Sequence, residues 1–247
     1  MSGHSKWATI RRAKEKTDAK KGQVFTKVTK DIILAAKGGG DPNLNARLRA
    51  VIAKAKAANM PNDKIETAIK KGTGELAGGE VFEMMYEGYA QGGVAMLVEV
   101  ATDNKNRTIA DVRHIIGKGG GNMGEPGSVA WMFDKRGVLS FDAAKYTEDQ
   151  IMEVALEAGA DDVVVEEDSI EVRSAPEDYS TVEKAFEAAG IIPESSELTM
   201  VPKNLTPVDA ATARKVMNLM ENLEENEDVS AVYVTADFTD EIMEELG

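Results

Sequence analysis

The apolar residues of this 247-residue chain change their spacing near residue 75, and that change separates two kinds of structure. Before it, apolar side chains recur three or four residues apart, which is the period of a helix with one buried face. After it, apolar and polar residues alternate over short segments, which is typical of strands. The boundary is a glycine-rich stretch from Gly72 to Gly79. The chain is therefore predicted to be α+β, with its helices first.

Three short helices are predicted before that boundary. They are expected at 24–37, at 45–59 and from Pro61 onward. The first ends at Gly38, because glycine adopts the left-handed conformation of a helix C-cap at little cost. Helical spacing places Arg47 and Lys54 on one flank of the second helix, and Asn62 is the expected N-cap of the third. Short helices with short connections predict a small bundle.

The segments after the boundary predict two α/β domains, one inserted into the other. Residues 138–203 show the order strand, helix, two strands, helix, strand, which is the βαββαβ order of a ferredoxin-like domain. The flanking segments are predicted strands at 82–89, 94–101, 129–133 and 231–236, and helices at 107–118 and after Thr206, its expected N-cap. The predicted fold is multidomain α+β, in which an N-terminal helical bundle precedes two ferredoxin-like α/β domains. The predicted domains are 1–75, then 76–137 together with 204–247, and the inserted domain 138–203.

Charge is distributed very unevenly along the chain, although the net value is −14. Residues 1–75 contain 17 Lys and Arg against 7 Asp and Glu (+10), 76–137 contain 6 against 8 (−2), and 138–247 contain 6 against 28 (−22). A basic end suits polyanions, whereas an acidic surface repels them and limits how the protein docks. The pattern predicts that the first domain binds nucleic acid and that the acidic domains restrict its orientation.

The predicted nucleic-acid contacts are lysines and arginines of the first domain with one tryptophan among them. Phosphate groups are contacted by long cationic side chains, and an aromatic ring can stack on an unpaired base. The expected contacts are Lys6, Trp7, Arg11, Arg12, Lys14, Lys20, Lys21, Lys27, Lys30, Arg47 and Lys54. Phe25 is expected in the bundle core instead, because it falls on the apolar face of the first helix. A monomer that binds promoter DNA or ribosomal RNA is the expected assembly.

Composition argues against an enzyme and against a bound cofactor or metal. The chain has no cysteine and only two histidines, His4 and His114, which share no carboxylate spacing. The glycine run 117–122 follows a predicted helix rather than opening one, so a C-cap is expected instead of a phosphate loop. No segment approaches 18 apolar residues, and the first seven residues lack the apolar run of a signal peptide. A cytoplasmic protein without a membrane partner is therefore expected.

Two sets of motifs resemble those of the YebC/PmpR family, which includes the mitochondrial translational activator of cytochrome c oxidase. They are Gly3-His4-Ser5-Lys6-Trp7 with Asp18-Ala19-Lys20-Lys21-Gly22, and Thr102-Asp103-Asn104-Lys105-Asn106-Arg107-Thr108 with Gly127-Ser128-Val129-Ala130-Trp131. The resemblance covers essentially the whole chain and implies a three-domain protein without a known enzymatic activity. It implies DNA binding and regulation of transcription, or alternatively a translation factor on the ribosome that helps proline-containing sequences through.

The sequence leaves the target open between DNA and RNA. No helix-turn-helix with a recognition helix rich in Arg, Asn or Gln is evident, so ribosomal RNA suits the basic segment better than base-specific reading of DNA. Two other classes use the acidic half differently. An enzyme would bind a metal or a cationic substrate there, and a protein scaffold would bind basic partners such as ribosomal proteins.

Overall fold

The computed structural model describes residues 21–166 and 168–246, which form two compact units. Among these residues, the first unit contains 21–133 and 202–246, and the second unit contains those between 134 and 201. Helices come first and two four-stranded sheets follow, so the predicted α+β class is confirmed. A division of the first unit near residue 75 into two domains stays a prediction. Within the described ranges, no helix is long and apolar enough to cross a bilayer.

The elements follow one another in the order that the change of period predicts. The helices are α1 (Lys21–Ala36), α2 (Ala46–Ala57), α3 (Asn62–Gly72), α4 (Lys105–Lys118), α5 (Glu148–Ala158), α6 (Tyr179–Ala188), α7 (Ala210–Glu224) and α8 (Asp240–Leu246). The strands are β1 (Phe82–Tyr89), β2 (Ala95–Thr102), β3 (Asn122–Met123), β4 (Phe133–Asp142), β5 (Asp162–Val165), β6 (Ser169–Ser174), β7 (Ser195–Pro202), β8 (Thr206–Pro207), β9 (Val229–Val234) and β10 (Ala236–Asp237).

Helices α1, α2 and α3 pack around a core of their own. Val28, Ile32 and Leu48 are at most 1 % exposed in it, and Phe25 packs partly buried against it, as its helical position predicts. Val81 and Ala101 belong to the same cluster, so the core of the bundle continues onto the sheet that contains β2. The bundle is therefore packed on that sheet rather than standing apart from it.

Side-chain caps fix the start of α2 but not that of α3. Asn45 caps α2 by accepting a hydrogen bond from the Leu48 N–H at 3.0 Å, and its amide donates to the Ala35 carbonyl of α1 at 2.8 Å. The expected capping role of Asn62 is wrong. Pro61 occupies the N-cap in an extended conformation without a side-chain bond, and Asn62 is already helical.

The first unit has a four-stranded sheet in the order β3-β1-β2-β9. Helices α4 and α7 cover one face, where Val98, Val112 and Leu223 are almost completely buried in a shared core. The predicted strand at 129–133 is wrong, because a single 3-10 turn occupies Ala130–Met132 and the third strand is the short β3. The reason is that the buried carboxylate of Glu87 accepts hydrogen bonds from the backbone N–H groups of Val129 and Ala130.

The last helix of the sheet domain begins later than its sequence predicts. Thr206 is not its N-cap, because Thr206 and Pro207 form β8, which pairs in parallel with β10. Asp209 caps α7 instead, and its carboxylate accepts from the Thr212 N–H at 2.7 Å. A proline in this short edge strand costs little, since edge positions do not all need an N–H donor.

The second unit has the strand order β5-β6-β4-β7 with α5 and α6, which is the topology of a ferredoxin-like βαββαβ domain. Its core includes Phe141 and Phe186, whose ring centroids lie 4.6 Å apart. Thr147 and Gln150 form a reciprocal capping box at the start of α5. The unit carries 18 Asp and Glu against 5 Lys and Arg, a net charge of −13.

Candidate nucleic-acid interface

The sequence-predicted contacts fall into two groups. Lys6, Trp7, Arg11, Arg12, Lys14 and Lys20 lie outside the described residues. Lys21 opens α1, while Lys27, Lys30, Arg47 and Lys54 have described side chains on α1 and α2. The structure therefore reports on the helical end of the predicted basic surface.

Lys27 and Lys30 contact the sheet domain through the side of α1. The Lys27 ammonium donates to the carbonyl of Glu224 at the end of α7. Lys30 donates to Asp228, and its side chain is only 12 % exposed. The same side of α1 places Asp31 where its carboxylate accepts from the Ser230 hydroxyl at 3.1 Å. These cations hold the bundle against the sheet, a use that their sequence spacing does not reveal.

Arg47 and Lys54 share a flank of α2 as predicted but differ in their surroundings. Arg47 forms a two-pronged ion pair with Glu83 of β1, and one of its two hydrogen bonds measures 3.0 Å. Lys54 is exposed, as are Lys56 on α2 and Lys64 on α3. Lys54 is therefore free to face solvent, whereas Arg47 joins the bundle to the sheet.

Asp228 is the buried centre of the junction between bundle and sheet. Its carboxylate accepts hydrogen bonds from Lys30 of α1, from Arg107 of α4 at 2.9 and 3.1 Å, and from the Thr108 hydroxyl at 2.8 Å. Burial alone would raise the pKa of Asp228, but these hydrogen bonds outweigh burial and lower the pKa below its ordinary value. One carboxylate therefore links three elements of the first unit.

The motif Thr102–Thr108 serves this junction. The Thr108 hydroxyl lies 2.7 Å from that of Thr102, and the Asn104 side chain caps α4 by accepting from the Arg107 N–H at 3.1 Å. A polar motif of this kind resembles a binding site in sequence. The side chains of Thr102, Asn104, Arg107 and Thr108 instead make hydrogen bonds within the chain, although Arg107 remains 42 % exposed.

Glu87 organises a second segment, the Glu87 loop, defined as residues 124–131. The carboxylate of Glu87 is buried and accepts hydrogen bonds from the N–H groups of Gly127, Val129 and Ala130 at 2.6, 2.7 and 2.8 Å. Burial alone would raise the pKa of Glu87, but the three backbone hydrogen bonds lower it below its ordinary value. These bonds bend the backbone away from the predicted strand and fix the conformation of the Gly127–Trp131 motif.

Glu99 lies on the sheet face that the bundle covers, and its pKa is shifted in the direction opposite to that of Glu87. Burial raises the pKa of Glu99 above its ordinary value, although the Tyr233 hydroxyl donates to it at 2.7 Å. The nearby carboxylates of Glu83 and Asp31 raise the pKa further, while Arg47 opposes them. The native state therefore binds a proton at Glu99 more tightly than the unfolded chain does.

Replacing Glu99 by glutamine is expected to stabilise the protein at pH 8 by about 1 kcal/mol, or 2–4 °C in Tm. The raised pKa means that the folded protein loses stability as the pH rises from the unfolded value, about 4.3, through the folded value. Glutamine removes this loss and keeps an acceptor for Tyr233. Thermal unfolding at pH 5 and pH 8 tests this, with exposed Glu80→Gln as control. A lower Tm of Glu99→Gln at pH 8 would contradict the assignment.

The glycine run 117–122 closes α4 as expected. The N–H groups of Gly119, Gly120 and Gly121 donate to the carbonyls of Ile115, Gly117 and Ile116. A Cβ at Gly119 would lie 2.7 Å from the Leu219 side chain, so the glycine permits α7 to approach closely. These three N–H groups are used within the chain, and no cluster of metal-ligating side chains occurs within 21–166 and 168–246.

Two family profiles match the chain. One, described as the N-terminal domain of TACO1/YebC proteins, matches residues 5–75. The other, described as the TACO1/YebC second and third domain, matches residues 81–236. Together they match most of the chain, including all of the second unit.

Full-length relatives support the same grouping. A protein of Maridesulfovibrio salexigens named probable transcriptional regulatory protein is 67% identical over 100% of this chain and 99% of its own length. A relative of the same name from Solidesulfovibrio magneticus is 54% identical over 98% of this chain and 99% of its own. The crystal structure of a conserved hypothetical protein from Aquifex aeolicus matches with a TM-score of 0.80 and 41% identity, and covers 89% of this chain and 91% of that one.

Proposed function

Because the chain belongs to the TACO1/YebC family, we propose that it is a non-enzymatic, nucleic-acid-binding regulator of gene expression that acts in the cytoplasm. The names of its relatives as transcriptional regulatory proteins support the regulatory role. The observation that carries nucleic-acid binding is the concentration of basic charge at one end of an acidic protein. The first 75 residues have a net charge of +10, and the second unit has a net charge of −13.

Exposed lysines on α2 and α3 extend the predicted basic segment onto a folded surface. They are Lys54, Lys56, Lys64, Lys70 and Lys71. Lysine is a flexible point charge suited to phosphate groups, and each phosphate that it neutralises releases condensed counterions. The acidic second unit repels the same phosphates and so restricts which face of the protein approaches them.

The described helices are better suited to the sugar–phosphate backbone than to base edges. Base reading in DNA relies on Arg, Asn or Gln placed along a recognition helix. In α2 the Arg47 guanidinium pairs with Glu83, and Arg49 donates to the Pro42 carbonyl at 3.1 Å. The other exposed positions of α2 hold alanine and lysine. This composition favours a second candidate, a ribosome-associated translation factor that binds ribosomal RNA through its backbone.

Crosslinking in cells distinguishes the two targets. Ultraviolet crosslinking followed by sequencing of both RNA and DNA identifies the bound nucleic acid, and a ribosome gradient locates the protein. Crosslinks at discrete promoters, with the protein absent from ribosomal fractions, would support transcriptional regulation. Crosslinks on ribosomal RNA, with the protein in ribosomal fractions, would support the translation factor. An absence of enriched crosslinks to either nucleic acid would contradict both.

Replacing Lys20 and Lys21 by glutamate is expected to weaken nucleic-acid binding about 10-fold or more at 0.1 M salt without unfolding the protein. The slope of log K against log salt should fall by about 1.5, because two phosphate contacts are lost. Filter binding over a series of salt concentrations measures both quantities. Lys135→Glu with Lys184→Glu makes the same charge change at exposed positions of the second unit and should leave both unchanged. An unaltered slope in the Lys20, Lys21 variant would exclude these residues as contacts.

A further inference from the structure

Trp131 carries an exposed aromatic ring outside the basic residues 1–75. Its side chain is 65 % exposed, and its indole N–H donates to the Ser128 carbonyl at 3.1 Å. This hydrogen bond uses the polar atom of the indole within the chain. The surface that Trp131 presents to a partner is therefore the hydrocarbon face and edge of the ring, which can stack but has no hydrogen-bond donor left.

Hydrogen bonds to residues on both sides of Trp131 fix the backbone segment that carries its ring. Glu87 holds the backbone N–H groups of Val129 and Ala130, the two residues immediately before Trp131. The carbonyl of Met132, the next residue, accepts from the Lys203 N–H at 2.9 Å. A single exposed apolar side chain on a helix, such as Leu156 at 68 % exposure, is ordinary and needs no explanation. Trp131 differs because a buried carboxylate fixes its backbone and a hydrogen bond orients its ring.

The Glu87 loop and the basic bundle are joined to the same face of the same sheet. Glu83, Met85 and Glu87 alternate along β1 and so lie on one face, opposite the core formed with α4 and α7. Glu83 pairs with Arg47 of the bundle, and Glu87 holds the loop. Four residues of strand separate the two attachment points by about 13 Å. Met85 lies between them and is 40 % exposed.

We propose that Trp131 is a stacking platform for an unpaired base of the nucleic acid whose phosphates the bundle and the basic segment hold. The proposal rests on the proposed function and adds a single-stranded target to it. The two attachment points on β1, of the bundle and of the Glu87 loop, lie about 13 Å apart, which is the length of a few nucleotides of extended strand. Base stacking tolerates any sequence, which agrees with a surface whose arginines are engaged internally.

A base explains this surface better than a protein partner does. Protein hot spots lie in pockets that neighbouring side chains shield from water. Among the described residues, the large apolar side chains exposed elsewhere are Leu44, Leu76, Leu156, Val165 and Ile192, and only Met85 shares the sheet face of the Glu87 loop. The exposed residue Lys203 is joined to the loop through its backbone. Single-strand binders use exposed aromatic rings of this kind together with a basic surface on the same protein.

The experiment uses the full chain with Trp7 replaced by phenylalanine, which leaves Trp131 as its one tryptophan. A fluorescein-labelled single-stranded 12-mer RNA of mixed sequence is the probe, and its duplex is the comparison. We expect the RNA to quench the fluorescence of Trp131. The quenching should saturate at the same protein:RNA ratio as the fluorescein anisotropy of the RNA. Adding Trp131→Ala to this background should weaken single-strand binding about 5- to 100-fold and leave duplex binding within about 2-fold. Trp131→Phe should restore most of the affinity.

Each outcome decides between stacking and its alternatives. Leu156→Ala removes an equally exposed apolar side chain from the acidic second unit and should not change RNA binding. Single-strand binding that persists without a quench, and with unchanged affinity in Trp131→Ala, overturns the stacking proposal. That result leaves the proposed function intact and assigns the ring to a protein contact. Failure of the unsubstituted protein to bind RNA or DNA at all overturns the proposed function, and the stacking proposal with it.

Discussion

Replacing Asp228 by alanine is expected to lower the free energy of unfolding of the first unit by about 3–5 kcal/mol. The side chain of Asp228 is 1 % exposed and is hydrogen bonded to Lys30, Arg107 and Thr108. Its removal leaves the Lys30 ammonium, whose side chain is itself only 12 % exposed, without its carboxylate. Removing one member of a buried ion pair is costly for this reason, whereas exposed pairs contribute little.

Urea unfolding followed by tryptophan fluorescence measures this effect, because Trp131 lies in the first unit. Asp103→Ala is the matched control. Asp103 also pairs with Arg107, at 3.1 Å, but its side chain is 59 % exposed, so its loss should change stability by less than about 1 kcal/mol. Equal effects of the two substitutions would refute the role of Asp228 as the buried centre of this junction.

The pH dependence of Asp228 has a definite sign. Hydrogen bonds lower its pKa in the folded protein below the unfolded value of about 3.9. The stabilisation is therefore complete above that unfolded value and is lost as the pH falls through the folded one. The stability difference between the parent protein and Asp228→Asn should accordingly be constant from pH 6 to 8 and should shrink below pH 4.

Local signals in the sequence predict the elements of this fold well where a short-range contact decides them. The second helix, predicted at 45–59, is α2 at Ala46–Ala57, and Asn45 is the residue that caps it. The predicted strand at 129–133 failed because its backbone is bound by Glu87, which lies 42 residues away from Val129. No alternation of apolar residues reveals such a distant acceptor. The cap assigned to Thr206 failed similarly, because pairing with β10 competes for that backbone.

The basic surface is only partly readable from the sequence for the same physical reason. The helical period places Lys27 and Lys30 on α1, yet their partners near residues 224 and 228 come from the far end of the chain. Counting charges cannot distinguish a lysine that holds two parts of the protein together from one that faces phosphate. The acidic residues Glu87 and Asp228 were missed because each is one carboxylate among many, and its burial depends on tertiary packing.

Replacing Glu87 by alanine is expected to lower the free energy of unfolding of the first unit by about 3 kcal/mol and to release the Glu87 loop. Three backbone N–H groups lose their acceptor at once, and the one on Val129 is buried. An unsatisfied buried donor costs about 1–3 kcal/mol. Urea unfolding measures the stability, and acrylamide quenching of Trp131 in the Trp7→Phe background measures the order of the loop.

Glu125→Ala is the control for that experiment, because it removes an exposed carboxylate from the same loop. It should change neither the unfolding midpoint nor the quenching constant, whereas Glu87→Ala should change both. Glu87→Gln keeps the shape of the side chain but not its charge, so it should remove the part of the acid-induced loss of stability that Glu87 contributes as the pH falls below about 4.3. The affinity of Glu87→Ala for single-stranded RNA shows whether Glu87 positions Trp131 in addition to stabilising the protein. If Glu87 acts by holding Trp131 in its stacking position, Glu87→Ala weakens single-strand binding even under conditions where the protein is fully folded, and Trp131→Ala adds little to that loss. Additive losses would mean that the loop does not position the ring.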